Sequence, residues 1–387
     1  MWLYLIIFAI PVFAFIKGGA LNQNKLFLRV YMIGLALFVG LSDMFGGYDR
    51  YIYGEVFDSI ADGVTRDASP GAMYAMTIFE TGYSYLNYLI AFLTENRYIY
   101  ILIVTLITYY CIYKAFKRNI TNYPLGMILF LGMVFFFSFT YLRQVLAFSI
   151  AWWSVRLMID KKKILFLLCI LFVTFLHKSG IIFALVFFVP LRKWDPLGII
   201  ITMSVIAAIG ASGITGALYD VYVETSNIYG AYNTENSVRI AYVLEVIFFA
   251  TIILKNYQKI EPTRRNLLFL NMAWMFCALL LLFVRSSDGG RIAWYYTFGI
   301  IYTITLICTK SNFKTWFKNR LSIGIISLML ILYIRTFVAW QQYNNLYPYK
   351  TFLTDGHRFP DFSWENYEYD HRYDDDKFYR SAFRFLK

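Results

Sequence analysis

Charge is what this sequence has least of. Asp, Glu, Lys and Arg make up 16% of its 387 residues, where an ordinary soluble domain carries about 25%. So little charge excludes a water-covered globule of this size. Histidine (3), cysteine (4) and proline (8) are scarce as well. The cysteines (Cys111, Cys169, Cys277 and Cys308) all fall inside apolar stretches at no ligand-like spacing. They read as buried soft residues, not as a zinc or disulfide framework. HExxH is absent, and neither a metal nor any other cofactor is expected. No internal repeat, low-complexity segment or soluble enzyme domain is visible.

What fills the chain instead is apolar: 59% hydrophobic and 20% aromatic residues. Runs of such residues recur from end to end, many long enough to cross a hydrocarbon core of about 30 Å as a helix. The pattern predicts an all-α polytopic membrane protein. Spans are placed at about 1–16, 26–42, 98–113, 123–141, 144–159, 164–177, 180–191, 197–213, 238–254, 266–284, 292–308 and 321–340. Residues 1–16 lack a basic start and a small-x-small cleavage pattern, so they are read as the first span. Residues 1–340 then form a single transmembrane domain, with connecting loops at 43–81 and 214–237 and a tail at 341–387. Residues 82–94 are short and carry polar groups, which predicts an interfacial or re-entrant helix.

The net charge of +12 does not point to nucleic acid. More than half of the 36 basic residues sit in short clusters between spans, including Lys114/Lys117/Arg118, Arg156/Lys161–Lys163 and Lys255/Lys259/Arg264/Arg265. Such clusters mark the cytoplasmic side. Of the 24 acidic residues, only Asp160, Asp195 and Glu261 share that side. The others gather on or near the opposite face, which is therefore expected to be the working face.

A few polar groups interrupt the spans near that face. Arg143, followed by Gln144, stands between two apolar runs, where an arginine is costly unless it meets a cavity or a partner. Its planar fork suits two phosphate oxygens, although snorkelling to headgroups is the plainer alternative. His177, Lys178 and Ser179 end the next run; histidine can carry or donate a proton, and a simple helix-end turn is the alternative. Arg285 and Arg291 flank Ser286-Ser287-Asp288-Gly289-Gly290, and with Arg143 they would make a cationic pocket for a diphosphate. In the 43–81 stretch, Asp49 and Glu80 precede aromatic segments; either carboxylate would suit a base for a sugar hydroxyl, and Tyr48 and Tyr83 would suit stacking on sugar rings.

The order of these motifs resembles the EpsG family, the Wzy-like membrane proteins of bacterial exopolysaccharide and capsule synthesis. The resemblance rests on Gly47-Tyr48-Asp49 with Tyr51 and Tyr53, and on Glu80-x-Gly82-Tyr83 with Leu86-Asn87. Leu142-Arg143-Gln144-x-x-Ala147, the lysines 161–163 and His177-Lys178-Ser179 complete it. Two positions depart: Ser42-Asp43-Met44-Phe45 stands where an arginine is often found, and Thr81 where proline is usual. The resemblance implies about 12 transmembrane helices in a GT-C-like or Wzy-like architecture in the bacterial cytoplasmic membrane, with the active site facing the periplasm or the outside. It implies a polymerase that joins oligosaccharide repeat units carried on undecaprenyl diphosphate, as in exopolysaccharide, capsule or O-antigen assembly, without a metal. The implied partners are the lipid-linked oligosaccharide, the bilayer, chain-length regulators and other assembly proteins. Arg143, Gln144, Lys178, Arg285 and Arg291 would bind substrate with Tyr48 and Tyr83, and Asp49, Glu80 and His177 would act in catalysis.

Two other classes fit part of the pattern. A flippase of lipid-linked oligosaccharides would also want a cationic cavity, but transporters often show paired repeats, and no matching halves are found. A membrane acyltransferase would want a histidine reached from the cytoplasmic side, and His177 is placed at the other face.

Overall fold

The computed structural model describes residues 1–44, 48–65, 70–217, 238–286, 289–309, 315–341, 346–354 and 372–386. The described elements are helical: α1 (Trp2–Lys17), α2 (Lys25–Gly40), α3 (Tyr48–Thr65), α4 (Pro70–Ile78), α5 (Thr81–Ala91), α6 (Arg97–Asn119), α7 (Tyr123–Met133), α8 (Phe137–Thr140), α9 (Leu142–Ile159), α10 (Lys163–Leu176), α11 (Leu185–Phe188), α12 (Pro196–Ala211), α13 (Ile240–Lys255), α14 (Arg264–Leu282), α15 (Gly289–Ala293), α16 (Thr297–Thr309), α17 (Thr315–Gln341) and α18 (Arg372–Asp375). Tight 3-10 turns at Lys178–Ala184 and Trp294–Tyr296 join some of them.

Local chemistry sets where helices start. Asn24, Asn96, Asn122, Asp195 and Thr263 each turn a side-chain oxygen onto the first backbone N–H groups of the helix that follows, which is what N-cap residues supply. Pro124 and Pro196 sit in the first turn, where a missing N–H costs nothing. Among the described residues, four stretches are long and apolar enough to cross a membrane: Arg97–Asn119, Arg264–Leu282, Gly290–Thr309 and Arg320–Trp340. Shorter apolar helices, among them α1, α10 and α12, accompany them.

The helices sort into inner and outer layers. α16 is buried along its length and packs on α14, and α6 packs on both α2 and α9. Gly299 allows the closest of these contacts, since a Cβ there would lie 2.5 Å from the Ala273 nitrogen; small residues let membrane helices approach in this way. α1, α10, α12 and α17 instead turn large apolar side chains outward, such as Phe13, Leu171, Ile201 and Ile331. In water that exposure would be costly, and against lipid tails it is not. This is a multi-pass membrane protein.

Three stretches fold differently from the sequence expectation; in one, the span expected over 180–191, a 3-10 turn and the four-residue α11 stand in place of a continuous helix. The span expected over 123–141 is broken at Val134–Phe136, where the Phe135 N–H reaches back to the Phe130 carbonyl and Ser138 Oγ takes up the Phe135 carbonyl at 2.6 Å. A second break at Tyr141, with backbone angles of −92° and 58°, starts α9 afresh just ahead of Arg143. The connection 43–81 is largely helical, because α3 finds partners for its charges. Arg97 holds Asp58 in the interior, with the Tyr373 ring under its guanidinium. Arg50 is fully buried and donates to the carbonyls of Val39, Ser42 and Phe139; burial pushes it down to about 10, so it stays charged. Most of residues 82–94 lies in the short helix α5.

The described part of the tail closes over this region. Lys377 Nζ lies 3.3 Å from Asp43 Oδ1 with both side chains buried, Arg380 pairs with Asp62 at 2.9 Å, and Asn96 donates to the Lys377 and Arg380 carbonyls. Residues 350–352 pair with the strand-like exit of α2 at 41–43.

Burial separates the worth of these pairs. Arg97→Ala strands the Asp58 carboxylate and is expected to cost about 3–5 kcal/mol. Arg380→Ala, whose partner Asp62 is 40% exposed, is expected to cost under about 1 kcal/mol. Thermal unfolding of the two variants in one detergent tests the ranking, and equal shifts would contradict it.

Candidate functional site

Three sequence motifs that are far apart in the chain meet at one point. Arg143 emerges from the first turn of α9, and its Nη1 lies 2.5 Å from Glu80 Oε2 in the α4–α5 turn. The other Glu80 oxygen accepts the Lys178 N–H at 3.2 Å, so the carboxylate sits at the start of the 178–184 turn. A carboxylate is favoured at such a helical start. Arg143 also donates from Nε to the Tyr53 hydroxyl at 3.4 Å, and its guanidinium lies 4.4 Å from the Phe79 ring centre. One carboxylate therefore ties together the α4–α5 turn, α9 and the end of α10.

His177 caps α10 in an extended conformation and passes the chain into the 178–184 turn. Its Nδ1 lies 2.7 Å from Ser179 Oγ, which lies 3.2 Å from the Tyr295 hydroxyl. Backbone closeness allows this arrangement. A Cβ at Gly82 would sit 2.6 Å from the Phe175 carbonyl oxygen, and a Cβ at Gly180 2.6 Å from Val173 Cγ1. Both glycines press the polar turns against α10.

Arg291, on α15, completes the cationic side. It donates to the Tyr141 hydroxyl at 2.8 Å and lies over the same ring at 4.1 Å, while its backbone carbonyl accepts from Gln144 Nε2 at 2.8 Å. The Trp152 indole fastens the next turn by donating to the Tyr295 carbonyl. Arg285 is engaged differently: it donates to the Ala211 carbonyl at the end of α12 and packs against Gly213.

The other sequence candidates take varied places. Asp49 stands on α3 one turn before Tyr53, and its charge reaches the Tyr53 phenol. Tyr83 is buried, donating or accepting with Tyr100 at 2.7 Å and meeting Phe79 edge-on; it supports the site from behind and presents no face to a sugar. Lys178 is exposed, and Gln144 is buried. Tyr48 opens α3, but its side chain lies outside the described residues, as do Asp288 and most of the loop 214–237. Sequence reasoning named Tyr53 only within its motif and missed Phe79, Tyr141 and Tyr295. Each lies among many aromatics, and only their contacts with Arg143, Arg291 and Ser179 set them apart.

Electrostatics follow from this packing. Burial works to raise the Glu80 carboxyl, but Arg143, His177 and backbone N–H groups together outweigh it, and Glu80 sits below the usual carboxylate range. Burial pushes His177 down, Glu80 opposes this, and Arg143 and Arg291 reinforce it, leaving the imidazole at about 4. It is half-exposed and neutral at pH 7.

The fold and this cluster define a class: an all-helical, multi-pass membrane protein with a cationic, aromatic-lined site fed by several chain segments. The model of the EpsG family matches residues 25–351, and the chain belongs to that family. No curated protein and no solved structure matches it. Membership carries the general function of the family, that of a Wzy-like polysaccharide polymerase of the glycosyltransferase kind.

Two outcomes follow from the geometry. Gly82→Ala overpacks α5 against α10 and is expected to cost about 1–3 kcal/mol and to reduce activity by separating Glu80 from Lys178. Normal activity in that variant would refute the contact's importance. The pH dependence has a definite sign. Glu80 and His177 both bind protons less readily in the fold than at their ordinary values of 4.5 and 6.5. Acid therefore favours the unfolded chain. Stability is expected to fall as pH drops from 6.5 through about 4, and the fall should be shallower in Glu80→Gln and in His177→Gln. A melting-temperature series across that range reads it.

Proposed function

We propose that this chain polymerises oligosaccharide repeat units carried on undecaprenyl diphosphate, at the outer face of the bacterial cytoplasmic membrane. The observation that carries the reading is the meeting of Arg143, Glu80 and His177, contributed by motifs near residues 80, 143 and 177. Arg143 and Arg291 would hold the diphosphate, and Arg143 itself stands in the first turn of α9, where a helix start favours an anion. Positive charge placed where the leaving group gathers negative charge does the work that a metal does in other glycosyltransferases. Lys178 and Gln144 border this half of the site, and Arg285 would contribute farther along the lipid-linked substrate.

In a single displacement the acceptor base stands across the anomeric carbon from the leaving group. Glu80 lies against Arg143, on the leaving-group side, so Asp49 takes the base role better. The acceptor hydroxyl gives its proton to Asp49, and its oxygen bonds to the anomeric carbon. The bond from that carbon to the diphosphate oxygen breaks with its electron pair, and the centre inverts. Glu80 would serve as a placeholder: an arriving diphosphate competes with it for Arg143. The twelve-span, GT-C-like arrangement and the outward orientation belong to the same reading, supported by the basic clusters between helices, where Arg118 also pairs with Asp160 at 2.6 Å.

Purified protein in lipid, supplied with a lipid-linked repeat unit, is expected to yield longer chains on a gel. Arg143→Ala should slow extension by roughly 10²–10³-fold, and Asp49→Asn by roughly 10²–10⁴-fold, at unchanged protein levels. Full extension in both variants would remove these residues from the site. Movement of the lipid across the bilayer without extension would replace the polymerase reading with a flippase. Cysteines placed at Lys162 and Tyr85 in a cysteine-free background should label from opposite sides; labelling from the same side would overturn the orientation.

A further inference from the structure

The hydrogen-bond chain from Tyr295 through Ser179 to His177 has a direction. Tyr295 is fully buried, and its phenol meets Ser179 Oγ as its hydroxyl partner among the described residues. A buried phenol hydrogen without an acceptor is costly, so Tyr295 donates to Ser179. The serine hydroxyl has one hydrogen; with Tyr295 donating to its oxygen, the acceptor within reach of that hydrogen among the described residues is His177 Nδ1, 2.7 Å away. Nδ1 therefore accepts and carries no proton. The reverse direction, from Nδ1–H to serine to tyrosine, would strand the phenol hydrogen in the interior.

We propose that Ser179 and Tyr295 are positioning residues that lock His177 as the neutral imidazole protonated on Nε2, so that it meets the substrate as a hydrogen-bond donor and not as a base. Its role toward substrate rests on the polymerase reading above; its tautomer does not. The charged groups facing the ring are Glu80 from the α4–α5 turn, Arg143 from α9 and Arg291 from α15, with Lys178 next in the chain. Burial, reinforced by two arginines, keeps the ring uncharged, as suits a donor built to polarise an oxygen without giving up its proton. Nε2, on the far side of the ring from Ser179, is left for an oxygen of the diphosphate. No proton changes hands at His177: as the bond to the anomeric carbon breaks, the Nε2–H bond to the leaving oxygen shortens and stays a hydrogen bond.

Tyr295 is itself anchored on both sides. Trp152 holds its backbone carbonyl at 2.9 Å, and the neighbouring Tyr296 donates to the Ile182 carbonyl at 2.6 Å. The turn carrying the phenol is thus pinned both to α9 and to the segment carrying Ser179.

The chain has three histidines, and His357 and His371 lie in the tail. Full-length protein carrying His357→Gln and His371→Gln, labelled with ¹⁵N-histidine in lipid nanodiscs, reports His177 alone. At pH 7 the expected spectrum shows Nδ1 unprotonated and Nε2 protonated, with the two tautomers mixing in Ser179→Ala and the single form restored in Ser179→Thr. An Nδ1–H tautomer, or an imidazolium at pH 7, would overturn the proposal. In the extension assay, Ser179→Ala and Tyr295→Phe are expected to lower kcat on the order of 10–100-fold, by analogy with the partners that orient metal-ligating histidines, with KM little changed and the acid limb of the pH profile shifted. Unchanged kcat and profile would refute the positioning role. If the parent protein extends nothing while the tautomer is as described, the polymerase reading fails and the hydrogen-bond assignment stands.

Discussion

The arrangement depends on one carboxylate shared between two cationic or donor groups. Glu80 has two oxygens and uses one for the Arg143 guanidinium and the other for the Lys178 N–H. That division fixes the relative positions of three chain segments more than thirty residues apart. The pair lies at the edge of the apolar core, 24% and 13% exposed for Arg143 and Glu80, which leaves it stronger than a surface ion pair yet open to exchange with an incoming anion. A fully buried pair would be too costly to break, and an exposed one would position nothing.

Around that contact the molecule divides its charges. Arginines bound to aromatic rings and hydroxyls (Arg143 with Tyr53 and Phe79, Arg291 with Tyr141) stay partly exposed. Arg50 and Arg97 are committed to carbonyls or to Asp58 in the interior and act as architecture. The same residue type thus does two jobs, and burial decides which. Tyrosines divide likewise: Tyr83 and Tyr100 bond each other behind the site, whereas Tyr53 and Tyr141 bond its arginines.

Much of this is legible before folding is considered. Apolar runs locate α2, α10, α12, α13, α14 and α16 to within a few residues, because lipid-facing and core-facing helices alike must be apolar. The short length and polar content of 82–94 single out α5. Arg143 and His177 stand out because charge and histidine are so scarce among the spans. What stays hidden is whatever depends on tertiary partners. α3 carries Asp49, Arg50, Glu55, Asp58 and Asp62 and reads as a solvated loop until Arg97 and the tail supply counter-charges. The break at 134–136 lies in an unbroken aromatic run, and only the diverted carbonyls of Phe130 and Phe135 reveal it. Arg285 and Arg291 look equivalent in sequence, yet one meets the end of α12 and the other meets Tyr141.

The docking of the tail also bears on how the protein comes into being. Asp43 and Asp62 flank and belong to the helix that bears Asp49, and their partners Lys377 and Arg380 are made long after them. Until those partners are made, the acid-bearing helix lacks these fastenings, while the Arg143–Glu80–His177 corner can already assemble. The corner around Arg143 is thus finished before the helix beside it is clasped. A chain that stopped short of Lys377 would keep that corner and lose the clasp.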